Sequence, residues 1–96
     1  MMDAYMRDIV TLRIAQTDKW GTRRYRERKV RARIDEGTRT VRDFSGEQVV
    51  SSAKIYIKRT ALTEDDKIHY SGVDHIILRL DGVKDFHDKY MVVSVS

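Results

Sequence analysis

The residues with the clearest potential for chemistry are three histidines and a group of aspartates near the end of the chain. The set consists of His69, His75, His87, Asp65, Asp66, Asp74, Asp85 and Asp88. A metal site needs three or four ligands that converge in space. His69 and His75 flank a predicted turn, but their spacing imposes no ligand geometry. We therefore interpret the set as polar groups at strand ends and expect no metal and no other cofactor.

Covalent catalysis also lacks a suitable nucleophile. The chain has no cysteine, and a catalytic serine needs an adjacent base that activates its hydroxyl. Ser51 and Ser52 lie in an alternating pattern that is typical of the middle of a strand. The five glycines are spread one to a turn, so they do not form a phosphate-binding loop. We expect that the protein is not an enzyme.

Basic residues are concentrated in one segment of the chain. Residues 19–33 contain eight lysines and arginines and one glutamate, a net charge of +7. Because the whole chain of 96 residues carries +4, the remainder is mildly acidic at −3. A basic stripe on an acidic background is typical of a surface for a specific partner rather than of a general polyanion binder.

Alternation along a strand places the basic side chains in rows. Arg31 and Arg33 project together, and a separate row precedes them. The predicted interface residues are Arg24, Arg26, Arg28, Arg31, Arg33 and, on a second strand, Tyr56. Three interpretations of this surface are open: a face for a protein partner, a solvated face, or a small nucleic-acid-binding barrel that uses residues 19–33.

The hydrophobic pattern has a period of two almost throughout, which predicts an all-β fold. The predicted strands are residues 8–14, a basic strand ending near 35, and residues 48–58, 67–70, 75–80 and 90–95, with a weaker candidate at 38–43. We expect a single domain over residues 1–96, of which residues 1–7 form a flexible N-terminal arm. Six or seven strands favour a small antiparallel barrel or sandwich, with one long inter-strand loop.

Two local features of the strands follow from the rule that alternate side chains point to opposite faces of a sheet. Tyr25 lies on the opposite parity from Val30, which predicts a β-bulge between them. Ile9, Val50 and Ile77 lie opposite the inward residues of their strands, so we expect apolar side chains outside the fold and self-association. No stretch approaches the roughly 20 apolar residues of a membrane span.

Several segments together resemble a known family. They are residues 18–22, Tyr25, residues 30–34 and, most specifically, residues 41–57, which read VRDFSGEQVVSSAKIYI. This pattern is similar to that of the small head–tail connector proteins of long-tailed bacteriophages, of the head-closure or stopper type. One departure is the turn at residues 71–74, which lacks the proline common in that family.

The resemblance implies a structural virion protein, made in the bacterial host cytoplasm. It implies a homo-oligomeric ring between the portal-bound adaptor and the tail, which helps to retain packaged DNA without sequence-specific contact. The excursion between residues 35 and 48 would project into the channel of this ring. Its candidate channel or subunit-contact residues are Arg39, Arg42, Asp43 and Glu47. The basic segment would then dock an acidic partner ring.

Overall fold

The computed structural model describes residues 6–82 and 89–96 of the chain, and these form an all-β fold. The strands are β1 (Asp8–Thr17), β2 (Arg23–Arg42), β3 (Gln48–Lys58), β4 (Lys67–Tyr70), β5 (Val73–Gly82) and β6 (Tyr90–Val95). All neighbouring strands are antiparallel, and the single sheet closes into a barrel in the order β1-β2-β3-β6-β5-β4. The predicted fold class is confirmed.

The interior of the barrel is filled by alternate apolar residues from every strand. The most deeply buried side chains include Val10, Leu12, Ile55, Ile57, Ile68, Val93 and Val95. Each pair within one strand is separated by one residue on the opposite face of the sheet, as the two-residue period of a strand requires. In β6 that residue is Ser94, which is also buried. Leu62, from the segment between β3 and β4, packs into the same cluster. The core is therefore one apolar cluster enclosed by the sheet.

Strand β2 is twice as long as β1, and it changes partner along its length. Residues 23–32 pair with β1, and residues 32–42 pair with β3. The pairing partner changes at Ala32, which lies opposite both Asp8 of β1 and Ile57 of β3. A β-bulge between Glu36 and Arg39 then adds one residue to β2. Before the bulge the even-numbered residues face the inside of the sheet, and after it the odd-numbered residues do.

Both turns that flank β2 have the same construction. The carboxylate of Asp18 accepts hydrogen bonds from the backbone N–H groups of Trp20 and Thr22, each at 2.9 Å. In the second turn Asp43 Oδ1 accepts from the N–H groups two and four residues later, at 2.9 and 3.0 Å. The fourth residue of each turn is a glycine with positive φ, 79° at Gly21 and 87° at Gly46. The turns predicted around 17–22 and 44–47 are confirmed.

The bulge predicted between Tyr25 and Val30 is wrong. Pairing of β1 with β2 is continuous from Asp8–Ala32 to Thr17–Arg23. Tyr25 therefore lies on the outer face, where its ring contacts two cationic side chains described below. An outward aromatic needs no bulge when neighbouring side chains cover it. The one bulge in the described part of β2 lies instead at residues 36–39.

Two further details differ from the sequence-based prediction. The long loop expected at residues 35–48 is a β-hairpin, because β2 continues to Arg42 and only residues 43–47 form its turn. Ile77 is buried, whereas Ile76 is 54% exposed. A register shift between Ile77 and Arg79 explains this, since it lets both Ile77 and Leu80 face the core.

The segment between β3 and β4 is anchored by a buried carboxylate. Asp66 is 3% exposed and accepts hydrogen bonds from the N–H of Ala15 in β1 at 2.7 Å and from the N–H of Thr63 at 2.8 Å. The predicted connector at residues 63–66 is a single turn, closed by the bond from the Asp66 N–H to the Thr63 carbonyl. Asp66 thus joins this connector to β1.

We predict that Asp66→Ala lowers the free energy of unfolding by about 1–3 kcal/mol, because it leaves two partly buried N–H groups without their acceptor. Urea denaturation followed by circular dichroism measures the change. Asp65→Ala is the matched control, since Asp65 is exposed and forms only a 3.9 Å surface pair with Arg23. Equal losses in the two variants would contradict the anchoring role of Asp66.

Candidate functional site

The predicted basic interface lies on two faces of β2 rather than on one. Arg31 and Arg33 are exposed on the outer face, as predicted. Because β2 has no bulge before Ala32, three further arginines share the parity of the inward residues. These are Arg24, Arg26 and Arg28, and all three are exposed. They remain accessible because β3 does not pair with this half of β2.

A groove lies beside the unpaired half of β2. Its volume is about 530 Å³. One wall is the β2 segment from Arg28 to Arg31, and the other is the segment that follows β3. The lining residues are Met6, Arg28, Lys29, Val30, Arg31, Lys58, Arg59 and Thr60. Five of these eight residues are basic and none is acidic, so the groove is suited to an anionic ligand or segment.

Most of the basic residues near this groove are not neutralised by neighbours. At the far end of β2, Arg23 and Arg24 form exposed ion pairs with Asp65 and Asp18 at 3.9 and 3.8 Å. Five other side chains form no ion pair within residues 6–82 and 89–96: Arg26, Arg28, Lys29, Arg31 and Arg33. Their uncompensated charge is available to a partner.

Sequence reasoning missed an ionic cluster on the outer face beside this stripe. The guanidinium of Arg13 lies 5.1 Å from the centre of the Tyr25 ring, and Lys67 Nζ lies 5.5 Å from it. Arg13 also pairs with Asp74 and, at 3.6 Å, with Glu27. The Asp18 turn sets the register of β1 and β2 and places Ala15 opposite Tyr25. A register derived from this turn could have predicted the cluster from the sequence.

Tyr56, the sixth predicted interface residue, is half-buried on the outer face of β3. Met6 and Tyr90 pack against it in a small apolar cluster separate from the core. Met6 is 4% exposed, so this part of the predicted flexible arm packs on its own chain; residues 1–5 lie outside the described residues. Tyr56 therefore presents less of its ring to a partner than the sequence suggested.

The four predicted channel residues lie on one hairpin, which we call the arm (residues 37–50). Arg39 is half-buried and pairs with Asp35 at 3.7 Å. Arg42 donates to the Gly46 carbonyl at 3.1 Å. Asp43 organises the turn, and the hydrogen bond from the Ser45 hydroxyl is the main cause of a pKa below its ordinary value. Glu47 is exposed, and its N–H is held by Asp43.

The two strands of the arm pair with no third strand of the described sheet. They pair with each other from Arg39–Ser51 to Arg42–Gln48. Among the described residues, β1 pairs with β2 only up to Ala32, and β6 pairs with β3 only from Ala53 onward. Ser51, at the base, is fully buried and donates to the carbonyl of Val95 at 2.8 Å. The arm therefore extends past the closed part of the sheet from a fixed base.

Exposed apolar side chains are present on the arm and elsewhere on the surface. Phe44, at the tip of the arm, is 48% exposed, and Val50 is 64% exposed. Among the residues that the structure describes, the other exposed large apolar side chains are Ile9, Trp20, Val73 and Ile76. The outward positions predicted for Ile9 and Val50 are confirmed.

The histidines have local structural partners. His69 Nδ1 lies 2.7 Å from the Asp74 carboxylate, which also pairs with Arg13. His75 stacks on Tyr70 with ring centres 4.1 Å apart, and its Nδ1 lies 2.8 Å from the Ser96 carbonyl oxygen. No three His, Cys, Asp or Glu side chains within residues 6–82 and 89–96 are grouped as metal ligands. His87, Asp85 and Asp88 lie outside the described residues.

Comparisons with known proteins do not identify a family. The sequence matches no family model and no curated protein. In the part of the chain that the structure describes, no helix is long and apolar enough to cross a membrane.

We predict that the interactions of the Asp74 carboxylate with His69 and Arg13 stabilise the fold at pH 6, and that this stabilisation is lost as the pH falls below about 4. The hydrogen bond from His69, followed by Arg13, outweighs desolvation and lowers the pKa of Asp74 from 3.8. A lowered pKa contributes stability that is present above the unfolded value and is lost as pH falls through the folded value. Asp74→Asn should therefore destabilise the protein at pH 6 and have progressively less effect below about pH 4.

Denaturant unfolding across this pH range measures the difference between the wild type and Asp74→Asn. Asp81→Asn is the control, because Asp81 forms a single exposed pair with Arg79 at 2.9 Å. A loss of stability in Asp74→Asn that does not change between pH 6 and pH 3 would contradict the prediction.

Proposed function

We propose that this protein is a structural subunit of a long-tailed phage virion, at the interface between head and tail. In this proposal its copies form a ring that joins the portal and adaptor complex to the tail and helps to retain packaged DNA. The resemblance of residues 41–57 to stopper-type connectors suggests the class. The observation that carries the proposal is the arm, a paired hairpin that extends beyond the closed sheet.

The arm is suited to contact between subunits. A ring is built by heterologous contacts, in which one surface of a subunit meets a different surface of the next. Val50 and Phe44 place exposed apolar surface on an element with a rigid base, so little order is lost when a neighbour covers them. Ser51 and the bulge at residues 36–39 fix the direction in which the arm leaves the barrel.

The charges of the arm are suited to a DNA channel without sequence-specific contact. Arg39 is paired with Asp35, and Arg42 is engaged with the turn carbonyl. Asp43 and Glu47 add negative charge near the tip. A surface of mixed and largely satisfied charges does not bind the phosphate backbone strongly, so DNA can be held in place by the ring and still leave through it.

The basic half of β2 supplies the docking face for an acidic partner such as the adaptor. Its arginines carry planar guanidinium groups that bind carboxylates through two hydrogen bonds. Arg31 and Arg33 lie on the outer face and are free of ion pairs among the described residues. They are the best candidates for the centre of this contact.

We predict that Val50→Asp prevents ring formation by placing a charge in the subunit contact. Native mass spectrometry and negative-stain microscopy, with the adaptor present if the free chain is monomeric, measure the ring. Trp20→Asp is the matched control, because Trp20 is 78% exposed but lies on the turn at the opposite end of β2. Intact rings from Val50→Asp would contradict the role of the arm.

We predict that the double variant Arg31→Glu/Arg33→Glu still folds but loses adaptor binding at least tenfold. The wild-type interaction should also weaken with added salt, because exposed charges are screened over about 8–10 Å near physiological ionic strength. Lys54→Glu/Arg79→Glu makes the same change in net charge on β3 and β5 and should retain binding. Equal binding by wild type and the β2 variant would contradict the docking face.

Nucleic-acid binding through residues 19–33 is the second candidate. The observation in its favour is Trp20, whose exposed ring carries Lys19 Nζ at 4.8 Å and adjoins the basic strand. Stacking proteins use several such rings in series, whereas Tyr25 and Tyr56 are covered by Arg13, Lys67 and Met6. Tight single-strand binding with a steep dependence on salt, and no ring with the adaptor, would favour this candidate.

A further inference from the structure

The half of β2 that precedes Ala32 has an open edge in the described structure. On one side, residues 23–32 pair with β1. On the other side, β3 pairs with β2 only from Ala32 onward, and β3 ends at Lys58. The backbone bonds of the turns and loops among the described residues do not involve residues 23–31. This edge can therefore accept another strand.

The structure also shows which backbone groups face the open edge. The Ile34 N–H donates to the Asp8 carboxylate of β1 at 3.1 Å, so it points to the β1 side. Successive residues of a strand direct their N–H and C=O groups to opposite edges. With no bulge between residues 23 and 34, the N–H and C=O groups of Arg31, Lys29, Glu27 and Tyr25 face the open side.

The surroundings of this edge select for an acidic strand. The β2 wall of the groove beside it carries Arg28, Lys29 and Arg31, which form no ion pair among the described residues. Strand addition takes affinity from backbone hydrogen bonds and specificity from alternate side chains. Glutamate or aspartate on an added strand would meet Arg28 on one face of the sheet and Arg31 on the other.

We propose that the open edge of β2 binds an extended acidic segment of a partner protein by β-strand addition. This deepens the docking role proposed above and rests on it in taking the partner to be an acidic protein. It does not require ring formation, so strand addition and ring assembly can fail separately. A nucleic acid could match the charge of the groove, but it could not supply the repeating backbone donors and acceptors of a strand.

The test uses the full chain and a fluorescent peptide of alternating glutamate and threonine, of about the length of the open edge. Fluorescence anisotropy should show saturable binding. The same peptide with N-methylated backbone amides keeps its charge but cannot pair, and it should bind at least tenfold more weakly. Equal affinity for the two peptides, or tighter binding of an oligothymidylate of the same charge, would overturn the proposal.

A pair of variants at one position tests the edge from the side of the protein. Lys29→Pro removes an N–H that faces the open side without removing a bond to β1, a position where a strand tolerates proline. Lys29→Gln removes the same charge and keeps the N–H. Peptide affinity should fall at least tenfold further in Lys29→Pro than in Lys29→Gln, while native mass spectrometry reports rings separately. Equal affinities in two folded variants would overturn strand addition, and the methylated peptide decides the matter if Lys29→Pro does not fold.

Discussion

The length of β2 is the constraint on which the rest of the structure depends. A strand of 20 residues cannot keep the same two neighbours when β1 has 10 residues and β3 has 11. It therefore pairs with them in succession and changes partner at Ala32. Each half of β2 has one edge that the neighbouring strands do not cover. The sheet closes around the middle of β2, and both ends of this strand continue past the closed part.

The two ends of β2 are built alike but carry different surfaces. Each ends in an Asp-x-x-Gly turn whose carboxylate accepts two backbone N–H groups, and each turn presents an aromatic residue, Trp20 or Phe44. In the first half, Arg26, Arg28, Lys29 and Arg31 form no ion pair among the described residues, and a groove lies beside them. The second half, the arm, has paired charges and exposed Val50. A single long strand thus supports two surfaces that are chemically distinct.

The alternating pattern predicted the strands and turns well, because burial of one face imposes a period of two wherever pairing is regular. The prediction from this pattern was wrong where a bulge or register shift interrupts the alternation. The bulge at residues 36–39 contains Gly37, but the alternation of apolar residues does not register a glycine inside a strand as a bulge. Adjacent Ile76 and Ile77 are equally apolar, so alternation could not decide which one is buried. The basic residues of the candidate site were predictable from charge alone. The groove was not, because it depends on β3 ending at Lys58 while β2 continues, a difference of register between distant segments.

An open strand edge usually favours pairing with another copy of the same chain. On the basic half of β2 such pairing would bring Arg26, Arg28, Lys29 and Arg31 of two copies together, and like charges that face each other across strands are destabilising. The same residues that would bind an acidic strand therefore oppose self-association at this edge. The arm lacks this repulsion, since Arg39 is already paired with Asp35 and its exposed residues include Val50. Under the proposed function, charge alone then directs identical copies to the arm and a different, acidic partner to the groove.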